Sequence, residues 1–293
     1  YNPFTFSNTE PLTLDGLEFT RGDLYNLIKT ASAGDLTITN CAITEAVYGA
    51  SGKYETVTCG ASLTGSESAY LTVIDSVVHH NGRCGDSNRE KAPSRGLYCT
   101  GFSGATIELC AFGDNGRSAR TGRSCQSRGV ALYLNGVPAR VSRCTFVGNR
   151  AATGNAHATI LYFDGNAAGS EVENCIFAGN LIEGGASTTG GALCFNLANA
   201  TDAAAVRNCT FADNSCGKGP GVYADGGTVA NTILYGNTAL GDGDANWGGT
   251  SSCFVNCCSV NAVGSGFVPV TDAPYQADYT LAQGSPCIDK GDD

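Results

Sequence analysis

Short runs of alternating apolar and polar residues recur along most of the chain, without the 3.6-residue period of a helix. The clearest are LTITNCAITEA, ending at Ala46, LTVIDSVVHHN, ending at Asn81, and TIELCAFGDN, ending at Asn115. The series continues with ARVSRCTFVGN to Asn149, SEVENCIFAGN to Asn180, AAVRNCTFADN to Asn214 and GTVANTILYGN to Asn237. LTLDGLEFTRG, ending at Gly22, is a weaker first copy. Ser76, Cys110, Cys144, Cys175 and Cys209 hold one position in this series, at steps of 34, 34, 31 and 34 residues.

A second run stands upstream in each unit: GLYCTG, ALYLNG, ILYFDG, ALCFNL and GVYADG. Alternation assigns Leu97/Cys99, Leu132/Leu134, Leu161/Phe163, Leu193/Phe195 and Val222/Ala224 to the interior. Tyr98, Tyr133, Tyr162, Cys194 and Tyr223 then face outward, beside Thr100, Asn135, Asp164, Asn196 and Asp225. Two strands and a variable loop per unit predict an all-β fold, a right-handed parallel β-helix of about 9–10 coils. The chain reads as a single solenoid domain over 1–293. Its coils are 31–34 residues long in the middle and 23–26 near the C-terminus, with 278–293 as a closing coil. Asn81, Asn115, Asn149, Asn180, Asn214 and Asn237 are expected to form a ladder of amides at a left-handed turn.

Composition agrees. Charged residues are only 15% and glycines number 40, a poor recipe for helix surfaces. The net charge of −10 argues against nucleic acid as a partner, and no apolar run is long enough to span a membrane. Of the 15 cysteines, Cys41, Cys110, Cys144, Cys175 and Cys209 read as stacked buried thiols. Cys84 and Cys125 are the expected disulfide, in the long loops of adjacent coils. Cys253, Cys257, Cys258 and Cys287 offer one or two further bridges near the C-terminal end.

The GGAL stretch, Gly190 to Leu193, is paired with Phe-x-x-Asn at Phe112/Asn115, Phe146/Asn149, Phe177/Asn180 and Phe211/Asn214. Together they resemble the middle repeats of chlamydial polymorphic membrane proteins, which are surface adhesins. The stretch DYTLAQGSPCIDKGDD is similar to the last coil of secreted bacterial β-helix proteins with a choice-of-anchor sorting domain. The resemblance implies a bacterial protein that is secreted, extracellular or on the cell surface, and it implies no particular activity. The chain departs from the adhesins in carrying one GGAL copy only.

Candidate chemistry lies in what varies between coils. Eleven of the 17 Lys and Arg fall between residues 83 and 150. Arg83, Arg95, Arg117, Arg120, Arg123 and Arg128 are candidate ligands for an acidic glycan or an acidic protein surface, set against ordinary solvated loop charge. The outward Tyr98, Tyr133, Tyr162 and Tyr223 offer a flat aromatic face for sugar rings, or simply stabilise the sheet. His80, Lys91 and Arg95 could supply the base and cation of a polysaccharide lyase, although the Arg-x-Pro-x-x-Arg stretch of pectate lyases is missing. Asp242, Asp244 and Asn246 open like a calcium loop, but Trp247 stands where the tight-turn glycine belongs. No other cofactor is expected. The preferred reading is a non-catalytic, adhesin-like extracellular β-solenoid, self-assembling end to end or binding a cell-surface protein or glycan. The alternative is a lyase acting on an acidic glycan.

Overall fold

The computed structural model describes residues 4–7, 9–20, 26–46, 58–81, 94–116, 125–126, 129–152, 159–165, 168–183, 191–197, 204–224, 226–240, 246–260, 267–277, 279, 281–285 and 287. Its strands stack into four sheets, and every strand pairs in parallel with its counterpart one coil away. Among the described residues the first and second sheets have nine strands, the third ten and the fourth five. The chain is therefore an all-β parallel β-helix, as its alternation predicts.

Among the described residues five coils carry four strands each, where the sequence suggested two. In one middle coil these are Leu132–Asn135, Ala139–Ser142, Thr145–Val147 and Arg150–Ala152. The apparent single run ARVSRCTFVGN is two strands broken at Arg143, which adopts a left-handed φ of 53°. One left-handed residue turns the chain without interrupting alternation by more than a step, so the corner is hidden in the pattern. Asn40, Asp75, Leu109, Asn174, Asn208, Asn231 and Asn256 turn the same corner in the other coils. A second corner follows the third strand. There the left-handed residue is His80, Asp114, Gly148, Gly179, Asp213 or Gly236, each one position before a ladder asparagine. The ladder asparagines themselves are not left-handed, which corrects the expectation for them.

Those asparagines are buried and form a continuous ladder. Nδ2 of Asn81 donates to Oδ1 of Asn115 at 3.1 Å, and the same contact links Asn115 to Asn149, Asn149 to Asn180, Asn180 to Asn214 and Asn214 to Asn237. Each Nδ2 also donates to a backbone carbonyl of the preceding coil, as Asn149 does to Phe112 at 2.9 Å. Each Oδ1 additionally accepts a backbone N–H from the coil before, Asn115 to Asn149 at 3.0 Å. All the polar capacity of a rung is thereby used, which is what makes a buried amide column tolerable.

The cysteine column is hydrogen-bonded as well as buried. The thiols of Cys41, Cys110, Cys144, Cys175 and Cys209 each donate to the carbonyl two residues earlier, at 3.1–3.2 Å. Backbone N–H groups donate across coils to Sγ of Cys144, Cys175 and Cys209. Ser76 and Thr232 occupy the same rung and make the same two bonds through their hydroxyls. The cysteines of the column are free, not bridged. Beside them Phe112, Phe146, Phe177 and Phe211 stack with centroids 4.6–4.7 Å apart and planes within 6°.

Candidate functional site

The tyrosine column does lie on the outer side of the first sheet, in register from Tyr98 to Tyr133 to Tyr162. It is not the open aromatic face expected of it. Tyr162 is 0% and Tyr133 7% exposed, and with Cys194 they form an apolar cluster separate from the main core. Tyr98 and Tyr223 pack against it, partly buried. Gly129 folds back so closely on Tyr133 that a Cβ there would sit 2.9 Å from the tyrosine Cα and Cβ. The Arg95 guanidinium caps the stack, 4.9 Å from the Tyr98 ring centre and 4.1 Å from that of Tyr133. Tyr133 donates its hydroxyl to Asp164, and Nδ2 of Asn135 donates to the Tyr98 oxygen at 3.2 Å. Burial first, and then the Asp164 bond, hold the Tyr133 phenol well above the ordinary phenol range.

His80 occupies the corner after the third sheet, exposed, with Nε2 3.8 Å from Oδ2 of Asp114. His79 stands against it, ring to ring and through the two Nδ1 atoms. Burial and the neighbouring His80 lower the His79 pKa, while Glu45 and Asp114 work the other way. Arg95, proposed as the cation beside His80, is instead engaged by the tyrosine rings. Lys91, Arg83, Arg117, Arg120, Arg123 and Arg128 lie outside the described residues, as do Asp242 and Asp244. Of the expected Cys84–Cys125 bridge, Cys84 lies outside them and Cys125 is described only as part of the strand Cys125–Gln126.

Asn246 is no calcium ligand in waiting. It is buried, and its Oδ1 accepts from both N and Nδ2 of Asn237 at 3.2 Å, making it the last rung of the amide ladder. The sequence hides this rung because it comes only nine residues after the previous one, just before the next strand of the first sheet, Trp247–Gly249. No group of three His, Cys, Asp or Glu among the described residues converges as metal ligands would.

Sequence reasoning missed a pocket near the C-terminal end. The described residues among 274–287 pack against the last coils and add no parallel strand. Tyr275 meets Leu281 in an antiparallel bridge, and the backbone N–H of Ala282 donates to Pro274 at 3.0 Å. A Cys258–Cys287 disulfide fastens this strap, and Val270, Tyr275 and Cys287 cover Ile233, Cys258 and Tyr235. Between strap and coils lies a pocket of about 280 Å³. It is lined by the corner residues Asn208, Asn231 and Asn256 and by Cys258 of the coils, and by Tyr279, Leu281 and Cys287 of the strap. The asparagine of the repeated NC pair was the available signal. That asparagine, as at Asn40, Asn174, Asn208 and Asn256, is the left-handed corner residue.

Stacked coils with saturated internal ladders and one strapped end define a parallel β-helix solenoid. The model of the right handed beta helix region family matches residues 4–196, well over half of the chain, and the chain belongs to that family. The same sheets continue past residue 196 to Phe267–Pro269. Searches of curated proteins and of solved structures find no match. No helix among the described residues is long and apolar enough to cross a membrane.

Proposed function

We propose that the chain is a non-catalytic, adhesin-like scaffold of the bacterial cell exterior, secreted or surface-bound, that presents flat polar columns to a cell-surface protein or glycan. The observation that carries this reading is the outer face of the second sheet. There Thr13, Thr37, Thr72 and Thr106 stand in register on four successive coils and lead into Arg140 and Glu171. A face of identical side chains at about 4.8 Å spacing suits contact with an extended or repetitive surface. Arg140 pairs with Glu173 and Arg143 with Glu108 across coils, so the charges of this face are partly spoken for within it.

Self-association end to end belongs to the same reading. The chain's coils pair edge to edge through parallel strands, and the same pairing can join one copy to another. The alternative, a lyase on an acidic glycan, draws on the His79–His80–Asp114 corner, where an acid–base pair is within reach of solvent. One experiment separates them. The purified chain, coated on beads, is assayed for attachment to cells and, in solution, for release of unsaturated uronate from acidic glycans. Attachment without uronate absorbance is expected. Uronate release abolished by His80→Ala would replace the scaffold reading with the enzymatic one.

A further inference from the structure

We infer that the pocket under the C-terminal strap is a binding site for a neutral saccharide. The inference rests on the reading of the chain as a binding scaffold and names a ligand class for it. Three observations carry it.

The first is the amide column. Asn208, Asn231 and Asn256 turn the same corner in three successive coils, with φ of 51°, 49° and 50°. This repeats one amide per coil at about the inter-strand spacing of 4.8 Å. Their backbone hydrogen bonding is met by the solenoid, Asn208 N–H donating to Ala230 at 3.2 Å and Asn231 N–H to Val255 at 3.1 Å. The side chains of Asn208 and Asn256 make no hydrogen bond among the described residues. Each carboxamide both donates and accepts, which is what a pair of adjacent hydroxyls needs. The coil spacing is close to the length of one pyranose unit.

The second is the rest of the lining. Tyr279, Leu281 and the Cys258–Cys287 bridge supply an aromatic and apolar surface to the pocket. Tyr279 packs on Tyr275 at 5.3 Å, and Tyr275 on Tyr235 at 5.8 Å, so the ring is held by a stack rooted on the third sheet. A sugar ring has a polar rim and an apolar C–H face, and amides together with an aromatic ring match both.

The third is charge. None of the described residues lining the pocket is ionisable at neutral pH, although the chain carries a net charge of −10. A uronate or sialate would enter without a cation to meet its carboxylate and against the field of the whole protein. Neutral hexoses and N-acetylhexosamines carry no such cost. At about 280 Å³ the pocket admits one or two such rings.

The test is saturation-transfer NMR and calorimetry on the intact, oxidised chain with cellobiose, mannobiose, lactose and N,N′-diacetylchitobiose, and digalacturonate as the charged comparison. At least one neutral disaccharide is expected to bind and digalacturonate to give no signal. Asn208→Asp and Asn256→Asp keep side-chain size and tolerance of positive φ while turning donors into a carboxylate. Each is expected to weaken binding tenfold or more with an unchanged circular dichroism spectrum and melting curve. Asn174→Asp, at the same corner one coil below the pocket, is expected to leave it unchanged. Absence of binding to every neutral sugar overturns the proposal, as does equal binding by the Asn256→Asp chain. Attachment of the chain to cells that survives both pocket substitutions, with no saccharide signal, sinks the pocket and leaves the scaffold reading standing.

Discussion

The middle coils, residues 129–183, and the C-terminal coils, residues 204–287, share one backbone plan but fill it differently. In the middle every rung repeats: Phe146 over Phe112 and Phe177 over Phe146, Cys144 beside Cys175, Asn149 beside Asn180. Toward the C-terminal end the rungs change identity. Leu234 follows Phe211, Thr232 follows Cys209, and Asn246, just before a strand of the first sheet, completes the ladder. The interior thus accepts substitution wherever volume and hydrogen bonding are kept. What is new at the C-terminal end, the strap, the bridge and the pocket, is built outside the coil. Interior positions should therefore be costly to change and exterior corners cheap, even where the residue is asparagine in both places.

Asn149→Leu tests this most severely. It removes the partner of Asn115 N–H, of Asn115 Nδ2 and of the Phe112 carbonyl, all buried. At roughly 1–3 kcal/mol for each of the three stranded groups, a loss of about 3–9 kcal/mol in urea unfolding is expected. Asn256→Asp, at an exterior corner, is expected to stay within about 0.5 kcal/mol. A loss below about 1.5 kcal/mol for Asn149→Leu would mean that the ladder is spacing rather than bonding the coils.

Phe146→Ala comes next, expected at about 3–5 kcal/mol because the ring is 0% exposed and stacked on both sides. Phe146→Leu copies what the C-terminal coils do at Leu234 and is expected to cost about 1–2 kcal/mol. If Leu cost as much as Ala, ring stacking and not volume would be the quantity the middle coils preserve.

Reducing Cys258–Cys287 acts on the other region alone. The bridge closes a 29-residue segment, for which chain entropy gives about 3–4 kcal/mol. Solenoid stability is a sum of neighbouring-coil contacts, so the effect should stay local. Limited proteolysis after reduction is expected to clip residues after 270 while the β-sheet circular dichroism of the coils melts as before. Joint melting of all coils on reduction would show that the strap stabilises the whole helix.

Much of this was legible in the sequence. Inward and outward columns, the amide ladder and the buried cysteine rung follow from period and residue type, because each coil repeats its neighbour's environment. The four-strand coil was not, since a single left-handed Arg143 or Asn208 leaves alternation almost intact. Neither was the burial of Tyr133 and Tyr162. Alternation says which side of a sheet a residue faces, and whether Arg95 then covers that side is decided by contacts outside the repeat. The pocket was hidden for the same reason. It pairs the repeat's commonest corner residue with a strap that occurs once.

The smallest effect concerns the thiol rung. Cys144→Ser should cost under about 1 kcal/mol, because a hydroxyl can still donate to the Ser142 carbonyl and accept from Cys110 N–H, as Ser76 and Thr232 do elsewhere in the column. Cys144→Ala strands that N–H and should cost about 1–3 kcal/mol. Two other buried thiols, Cys257 on this rung and Cys216 in the fourth sheet, set an alkaline limit. Burial pushes the Cys216 and Cys257 thiols from an ordinary value of 9.0 up to about 11. A thiol whose folded pKa is raised contributes its stability below the unfolded pKa and loses it as pH climbs through the folded one. Stability measured by urea titration should accordingly fall between about pH 9 and pH 11, and iodoacetamide at pH 8 should leave these two thiols unmodified in the folded chain while labelling both in urea. Labelling of Cys216 or Cys257 in the folded chain at pH 8 would mean that the coils open locally at those positions, and the flatter interior identity of the C-terminal coils would then carry a cost the middle coils avoid.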